Sequence, residues 1–391
     1  MRTQRWSVAL VAVLIGTVLA GCSGSKGGGQ AAAVKVAIVY SRTGPLAAYG
    51  KNYYDGFTAG LDYATKGTGK AGKTKIDVTY ADDAGDPAKA TAAAKQYIGA
   101  GYKIVAGTTD SGIATQLGPL AADNKIVYIS GPAATDKITG MNRYTFRSGR
   151  QTYQDVATAG TFVGDPSGKK VLVFAQDSTF GQGNAAAVKA VLGARGATVS
   201  PLLVPVSATD FTPFARQAAE AKADLVFVAW AGATTAAMWQ ALDQQQVLSS
   251  TTVVTGLGNA ASFGAYGPAT GKISFLSYYF PAAADNPVNT AMVGALQKAG
   301  APADLFSPDG FVAAQMIVHA VSTAGGDNVD KMIKALEGWT FDAPKGSETV
   351  RAGDHAMLQP MFQAKLVPAG SGWEPKLVKV VPADATAPAE V

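Results

Sequence analysis

The chain has 391 residues, 48% of them apolar and 16% charged, a balance that excludes wholesale disorder and suffices for two buried cores. Its 45 glycines follow no three-residue period, which excludes a collagen-like helix. The net charge is only +5 and no dense Lys/Arg cluster occurs, so nucleic acid is not an expected partner.

The first element in chain order is an address. Residues 1–6 carry Arg2 and Arg5, and residues 8–20 are apolar but shorter than the roughly 20 residues of a membrane span. Leu19-Ala20-Gly21 then precede Cys22, the only cysteine. Small residues before a cysteine resemble the bacterial lipobox. The resemblance implies a signal peptide over 1–21 and a diacylglyceryl thioether on Cys22 as the first mature residue. A buried cysteine in an N-terminal helix is the bland alternative. Residues 22–33 are rich in Gly, Ser and Ala and read as a flexible tether. A lone cysteine also excludes an internal disulfide and a cysteine-based metal site.

The body alternates strand and helix. Residues 34–40 are a β-branched run, and Leu46, Tyr53, Phe57, Leu61 and Ala64 then recur at helical spacing. A strand is expected at 75–80, and Asp86-Pro87 opens a helix as cap and first turn. Strands follow at 104–106 and 126–130, with a helix from Ser111 between them. The cycle repeats with strands at 171–175, 202–206, 225–229 and 252–255 and helices from about Gly183, Asp210 and about Thr234. This predicts parallel sheets with right-handed crossovers, in more units than one sheet holds. The tail changes character: a strand at 273–279, helical patterns at 288–299, 310–323 and 328–336, then short strands near 348–350, 361–367 and 375–380.

Several motifs invite other readings. Gly181-Gln182-Gly183-Asn184-Ala185-Ala186 and Gly256-Leu257-Gly258-Asn259-Ala260-Ala261 fit the dinucleotide pattern, yet neither is followed about 20 residues on by an acid for a ribose. The first is read as a tight loop feeding a helix. Asp82, Asp83 and Asp86 are read as a strand end and helix start rather than a metal cluster. Gly27-Gly28-Gly29 lacks the Lys-Ser/Thr of a phosphate loop. His319 is expected to pack on its helix. With His355 it is one of only two histidines, too few for a convincing triad or zinc site. No cofactor, metal or catalytic residue is expected.

The string Ser41-Arg42-Thr43-Gly44-Pro45-Leu46-Ala47-Ala48-Tyr49-Gly50 resembles the opening of the leucine/isoleucine/valine-binding proteins. The likeness continues through Asp82-Asp83-Ala84-Gly85-Asp86-Pro87, Ser130-Gly131-Pro132-Ala133-Ala134-Thr135 and Asp177-Ser178-Thr179-Phe180-Gly181, and covers about 34–380. It implies the fold of type I periplasmic binding proteins: two doubly wound α/β lobes joined by a multi-strand hinge. The expected division is 34–149 plus 276–352 for lobe 1, 150–275 plus 353–384 for lobe 2, and a tail at 385–391. The implied function is that of an extracytoplasmic, lipid-anchored, monomeric subunit of an ABC importer, working with a permease and an ATPase. It would capture a small carboxylate, such as a hydrophobic amino acid, between the lobes. An aromatic-carboxylate binder, a sensor ectodomain and, more remotely, a secreted α/β enzyme are the alternatives.

The resemblance also assigns ligand roles. Ser111 and Thr135 would donate hydroxyl and N–H groups to a carboxylate, with Thr109 beside them, and the Ala133 carbonyl would accept from an ammonium or hydroxyl. Tyr49 would cover the ligand from lobe 1. Phe180 stands where the family often has Tyr, so it can stack but not hydrogen-bond, and Trp230 adds an apolar or stacking wall. Leu257 falls where amino-acid binders place an acid for the ammonium, a departure that raises the aromatic-acid alternative. Asp177 is the reserve acid. Paired cysteines of many amino-acid binders, near Gly85 and Asp110, are absent. The strings Phe146-Arg147-Ser148-Gly149-Arg150 and Phe341-Asp342-Ala343-Pro344-Lys345-Gly346 are similar to the broader set that includes binders of aromatic acids.

Overall fold

A computed structural model describes residues 33–391, so the expected signal peptide, Cys22 and all but the last residue of the tether lie outside the described residues. In chain order the first elements are β1 (Val34–Tyr40), α1 (Ala47–Thr65), β2 (Lys70–Ala71), β3 (Thr74–Asp82), α2 (Pro87–Gly99), β4 (Ile104–Ala106), α3 (Ser111–Asn124), β5 (Val127–Ser130) and β6 (Thr145–Arg147). They form one sheet of order β2-β3-β1-β4-β5-β6, parallel apart from the β2 hairpin. β1 lies at its centre. Its run of Val, Ala and Ile is buried on both faces, as a helix-covered parallel strand requires. Asp86 caps α2 by accepting from the N–H of Ala88 at 2.8 Å, with Pro87 in the first turn, as expected.

The chain then crosses to a second sheet. It comprises α4 (Thr152–Gly160), β7 (Lys170–Asp177), α5 (Thr179–Val191), β8 (Thr198–Pro205), α6 (Thr212–Glu220), β9 (Leu225–Ala229), α7 (Thr235–Gln244), α8 (Val247–Ser250), β10 (Thr252–Gly256) and β11 (Ile273–Ser277). Next come α9 (Pro287–Lys298), α10 (Ser307–Ala324) and α11 (Val329–Leu336), then a small antiparallel sheet of β12 (Thr340–Ala343), β13 (Gly346–Val350) and β14 (Met357–Leu358). Residues of α10, α11 and these strands share one core with β1, β4 and β5, which returns this segment to the first lobe. Finally β15 (Met361–Ala369) and β16 (Gly372–Val381) add antiparallel to β11, completing the order β16-β15-β11-β10-β9-β7-β8.

The chain therefore passes between the sheets after β6, after β11 and after β14. The two later passages fall outside the expected divisions. β11 runs to Ser277 in the second sheet, and Met357 pairs with Val350, holding β14 in the first lobe. Helices α1 and α10 meet at backbone distance. A Cβ on Gly310 would stand 1.9 Å from the Tyr53 carbonyl oxygen, and one on Gly56 1.9 Å from that of Ser307, so only glycine fits there. Among the described residues, no helix is long and apolar enough to cross a membrane.

The glycine pair of the first dinucleotide-like string is not a loop. Ser178 caps α5 by accepting from the Gly181 N–H at 3.2 Å, and both Gly181 and Gly183 lie within the helix. A Cβ on Gly181 would meet the Gln176 carbonyl oxygen at 1.8 Å, so this glycine lets α5 turn back sharply on β7. The acidic run at the end of β3 has structural duties: Asp82 accepts from the N–H groups of Arg42, Thr43 and Ala84, and Asp83 from the Thr108 hydroxyl. His319 stacks on Trp339 at 4.0 Å, with Nε2 3.1 Å from the Ala335 carbonyl oxygen.

Candidate ligand-binding cleft

The carboxyl ends of the parallel strands in both sheets face one another across a cavity of about 620 Å³. The loops after β1, β4 and β5 supply the first wall, and those after β7, β9 and β10 the second. Arg150, Asp155, Tyr278 and Phe306, near the crossings between lobes, also line it. The lobes touch at the rim. A Cβ on Gly232 would be 2.9 Å from the Pro45 carbonyl oxygen, and one on Gly112 3.5 Å from Thr179 Oγ1.

Of the residues singled out in the sequence, Tyr49, Thr109, Ser111, Phe180, Trp230 and Leu257 are brought together on this cavity. Ser111 is the first residue of α3, but the cap is Asp110, whose Oδ1 accepts from the Ile113 N–H at 2.8 Å. Ser111 Oγ accepts from the Thr135 N–H at 3.3 Å and so keeps its own proton for a solute. Thr109 Oγ1 is 2.7 Å from Ser41 Oγ.

Ala133 and Thr135 do not reach the cavity; Pro132 and Ala134 do. The Ala133 carbonyl accepts from Arg147 Nη2 at 3.0 Å, and that of Thr135 from Arg147 Nη1 at 3.2 Å. Thr135 Oγ1 accepts from the Lys137 N–H at 3.3 Å, capping a short turn of 3-10 helix at Asp136–Ile138. The loop turns alternate residues to opposite sides, and Arg147 claims the side expected to face the ligand.

The second wall is aromatic and apolar. The Trp230 indole N–H donates to Thr234 Oγ1 at 3.0 Å, and its ring stacks on Phe174 at 5.7 Å with its edge on Phe211 at 5.2 Å. Tyr49 meets Phe306 edge to face at 5.2 Å, and burial pushes its hydroxyl pKa up. Leu257 is 1% exposed and packs into the core of the second lobe while closing the cavity floor.

The charged members of the wall are three aspartates and one arginine. Burial raises the Asp110 carboxyl pKa against the opposing N–H bonds from Ile113 and Gly112. Asp177 accepts from Gln182 Nε2 at 2.8 Å and stands exposed at the end of β7. Burial pushes the Asp155 carboxyl up to about 7 even though the Arg150 guanidinium beside it pulls the other way. Burial is the strongest influence on Arg150 and opposes its charge, but Asp155, Tyr278 and Asp309 together outweigh it and hold the guanidinium above its ordinary range. Its Cζ lies 3.7 Å from the Tyr278 ring centroid. Arg150, Asp155, Tyr278 and Phe306 were not identified as contacts by sequence reasoning. The Arg147–Arg150 spacing after β6 was the available signal. Among the described residues, no cluster of His, Cys, Asp and Glu could hold a metal.

Two α/β lobes closing a mixed polar and aromatic cavity at their strand ends, joined by several crossings, define a protein that captures a small solute between domains. The chain belongs to the periplasmic binding protein family, whose model matches residues 33–371, and is a solute-binding protein of the ABC-transporter type. A solved ABC-type branched-chain amino acid transporter protein from Rhodopseudomonas palustris is 35% identical, with a TM-score of 0.75, over 90% of this chain and 97% of that one. A Leu/Ile/Val-binding protein of Rhizobium johnstonii is 26% identical over 75% of this chain and 80% of its own length. An R. palustris solute-binding protein solved with 4-hydroxybenzoate shares the fold, with a TM-score of 0.82 at 23% identity over 90% of this chain and 97% of that one.

Proposed function

We propose that this protein is the lipid-anchored capture subunit of an ABC importer for a hydrophobic α-amino acid, tethered through Cys22 and read in its closed form by a permease and its ATPase. The observation that carries the ligand class is the division of the cleft. Hydroxyl donors at Thr109 and Ser111 stand on one wall, an aromatic and aliphatic surface on the other, and aspartate side chains are within the same cavity. A carboxylate suits the hydroxyls, an apolar side chain suits Trp230 and Phe180, and an ammonium needs an acid. Leu257 cannot supply that acid; Asp177, exposed on the wall, can. The 35% identical branched-chain amino acid protein supports the same reading. The mechanism is binding and closure without bond chemistry: a solute touching both lobes favours the state in which they meet.

One feature favours a second reading, an aromatic carboxylate. The Trp230 ring is locked in place by Thr234, Phe174 and Phe211, and Leu257 leaves the floor uncharged. A thermal-shift panel of the purified protein against the twenty amino acids, benzoate and 4-hydroxybenzoate separates the two. Stabilisation by leucine, isoleucine or valine, with no shift from the aromatic acids, is expected. Stabilisation by the aromatic acids alone overturns the amino-acid reading.

A further inference from the structure

Two buried arginines stand three residues apart at the end of β6, and their hydrogen bonds differ. Arg147 spends all five of its donors on protein oxygens: Nε on Gly149, Nη1 on Thr135 and Thr139, Nη2 on Ala133 and Arg150. It holds the loop and has no place on the cavity wall. Arg150 gives Nε to Asp155 Oδ1 at 3.3 Å and Nη1 to the Pro132 carbonyl at 2.6 Å. The Tyr278 hydroxyl also accepts from the guanidinium, and the remaining Nη hydrogens have no acceptor recorded among the described residues, although the residue is 2% exposed and lines the cleft. Asp155 Oδ2 is likewise buried without a hydrogen-bond partner. The Tyr278 ring beneath the guanidinium and Phe306 at 5.3 Å fix the plane in which the unspent donors lie.

A cation removed from water with unspent donors is unfavourable unless a partner arrives, and here the space beside it is the ligand cavity. We infer that Arg150 binds the solute's carboxylate and supplies the positive charge of that subsite, with Asp155 as the positioning residue that holds Nε. The inference rests on the carboxylate reading above. Pro132, which anchors Nη1, is in the same loop as Thr135, whose N–H reaches Ser111 Oγ. Arg150 and Ser111 therefore flank one loop, and the carboxylate lies between a guanidinium and a hydroxyl. The start of α3 cannot supply the charge alone, because Asp110 caps it with a carboxylate that offsets the partial positive charge there. A free acid is thus required of the solute, and a neutral amide of the same shape is rejected.

Calorimetric titration of the purified protein with leucine and leucinamide tests this. The wild type is expected to prefer the acid by about 100-fold, the loss typical of an unpaired buried charge. Arg150→Gln should reduce that preference to below about tenfold. A purely structural role for Arg150 would weaken acid and amide alike, and a preserved ratio in Arg150→Gln overturns the inference. Should leucine not bind while benzoate does, the amino-acid reading fails and the benzoate/benzamide pair carries the same test. If no acid binds, both readings fall. A crystal structure of the wild type with bound solute decides without any variant. A guanidinium nitrogen about 2.9 Å from a carboxylate oxygen is expected, and a carboxylate beyond about 4 Å from every Arg150 nitrogen refutes it.

Discussion

Ser111→Ala and Thr135→Ala, equivalent in the sequence, separate in the structure. The Ser111 hydroxyl lines the cleft, accepts from the Thr135 N–H and has its proton free. Removing a hydrogen bond to a charged group costs about 1.5–3 kcal/mol, or roughly 10- to 150-fold in affinity. The Thr135 hydroxyl does not line the cleft, and among the described residues its only bond is one of 3.3 Å accepted from the Lys137 N–H at a three-residue turn. Losing it removes a long cap bond, worth about 0.5–1 kcal/mol of stability at the low end of the capping range. Calorimetry should therefore show Ser111→Ala weakened by at least about tenfold, with a lower melting temperature because the buried Thr135 N–H loses its acceptor. Thr135→Ala should bind within about threefold of wild type and melt slightly lower. Equal losses of affinity in both variants, with both folds intact, would refute the orientation assigned to this loop.

Further outcomes follow from burial and chemistry elsewhere. Leu257→Glu places a carboxylate in the core of the second lobe and should lower stability by several kcal/mol; an unchanged melting temperature with improved amino-acid affinity would mean that this position opens to the solute. Burial pushes the Glu348 carboxyl up to about 7, with Lys345 Nζ at 3.9 Å pulling it down. The folded state therefore holds a proton that the unfolded chain releases near pH 4.3. The stability this gives is full below that pH and lost as pH rises through about 7, so melting temperatures should fall from pH 5 to pH 8 and Glu348→Gln should flatten the fall; an identical slope in the variant contradicts this. Cys22→Ser should abolish lipid attachment, seen by mass spectrometry of the mature N-terminus, and a wild-type chain that starts elsewhere without lipid would remove the anchor.

The alternation of β-branched runs with helical spacing carried the fold, because buried parallel strands such as β1 leave an unbroken apolar signature and caps such as Asp86-Pro87 mark helix starts. β6 and α4 left no such trace: β6 has three residues, and α4 is mostly polar, with Gln154 and Asp155 buried by tertiary contacts rather than by periodicity. Gly181 was misread because its missing Cβ serves the approach of α5 to β7, a contact invisible along the chain. In the site, Trp230 follows β9 directly and Ser111 opens the helix after β4, so both were legible from their place after a strand. Ala133 and Thr135 were not, since which side of an extended loop faces the ligand depends on Arg147, whose bonds span residues 133–150. Arg150 and Tyr278 meet only where the crossings between lobes come together, so their stacking has no sequence pattern.

The most direct test of the central claim, that the cleft captures an α-amino acid, is a paired calorimetric titration with leucine and its 2-keto analogue, 4-methyl-2-oxopentanoate. The two share a carboxylate and an isobutyl group and differ in the ammonium, whose proposed partner is Asp177. Leucine should bind at least about tenfold more tightly, as expected when a buried cation finds a carboxylate. Equal or tighter binding of the keto acid would contradict the claim and place no acidic side chain at the ammonium.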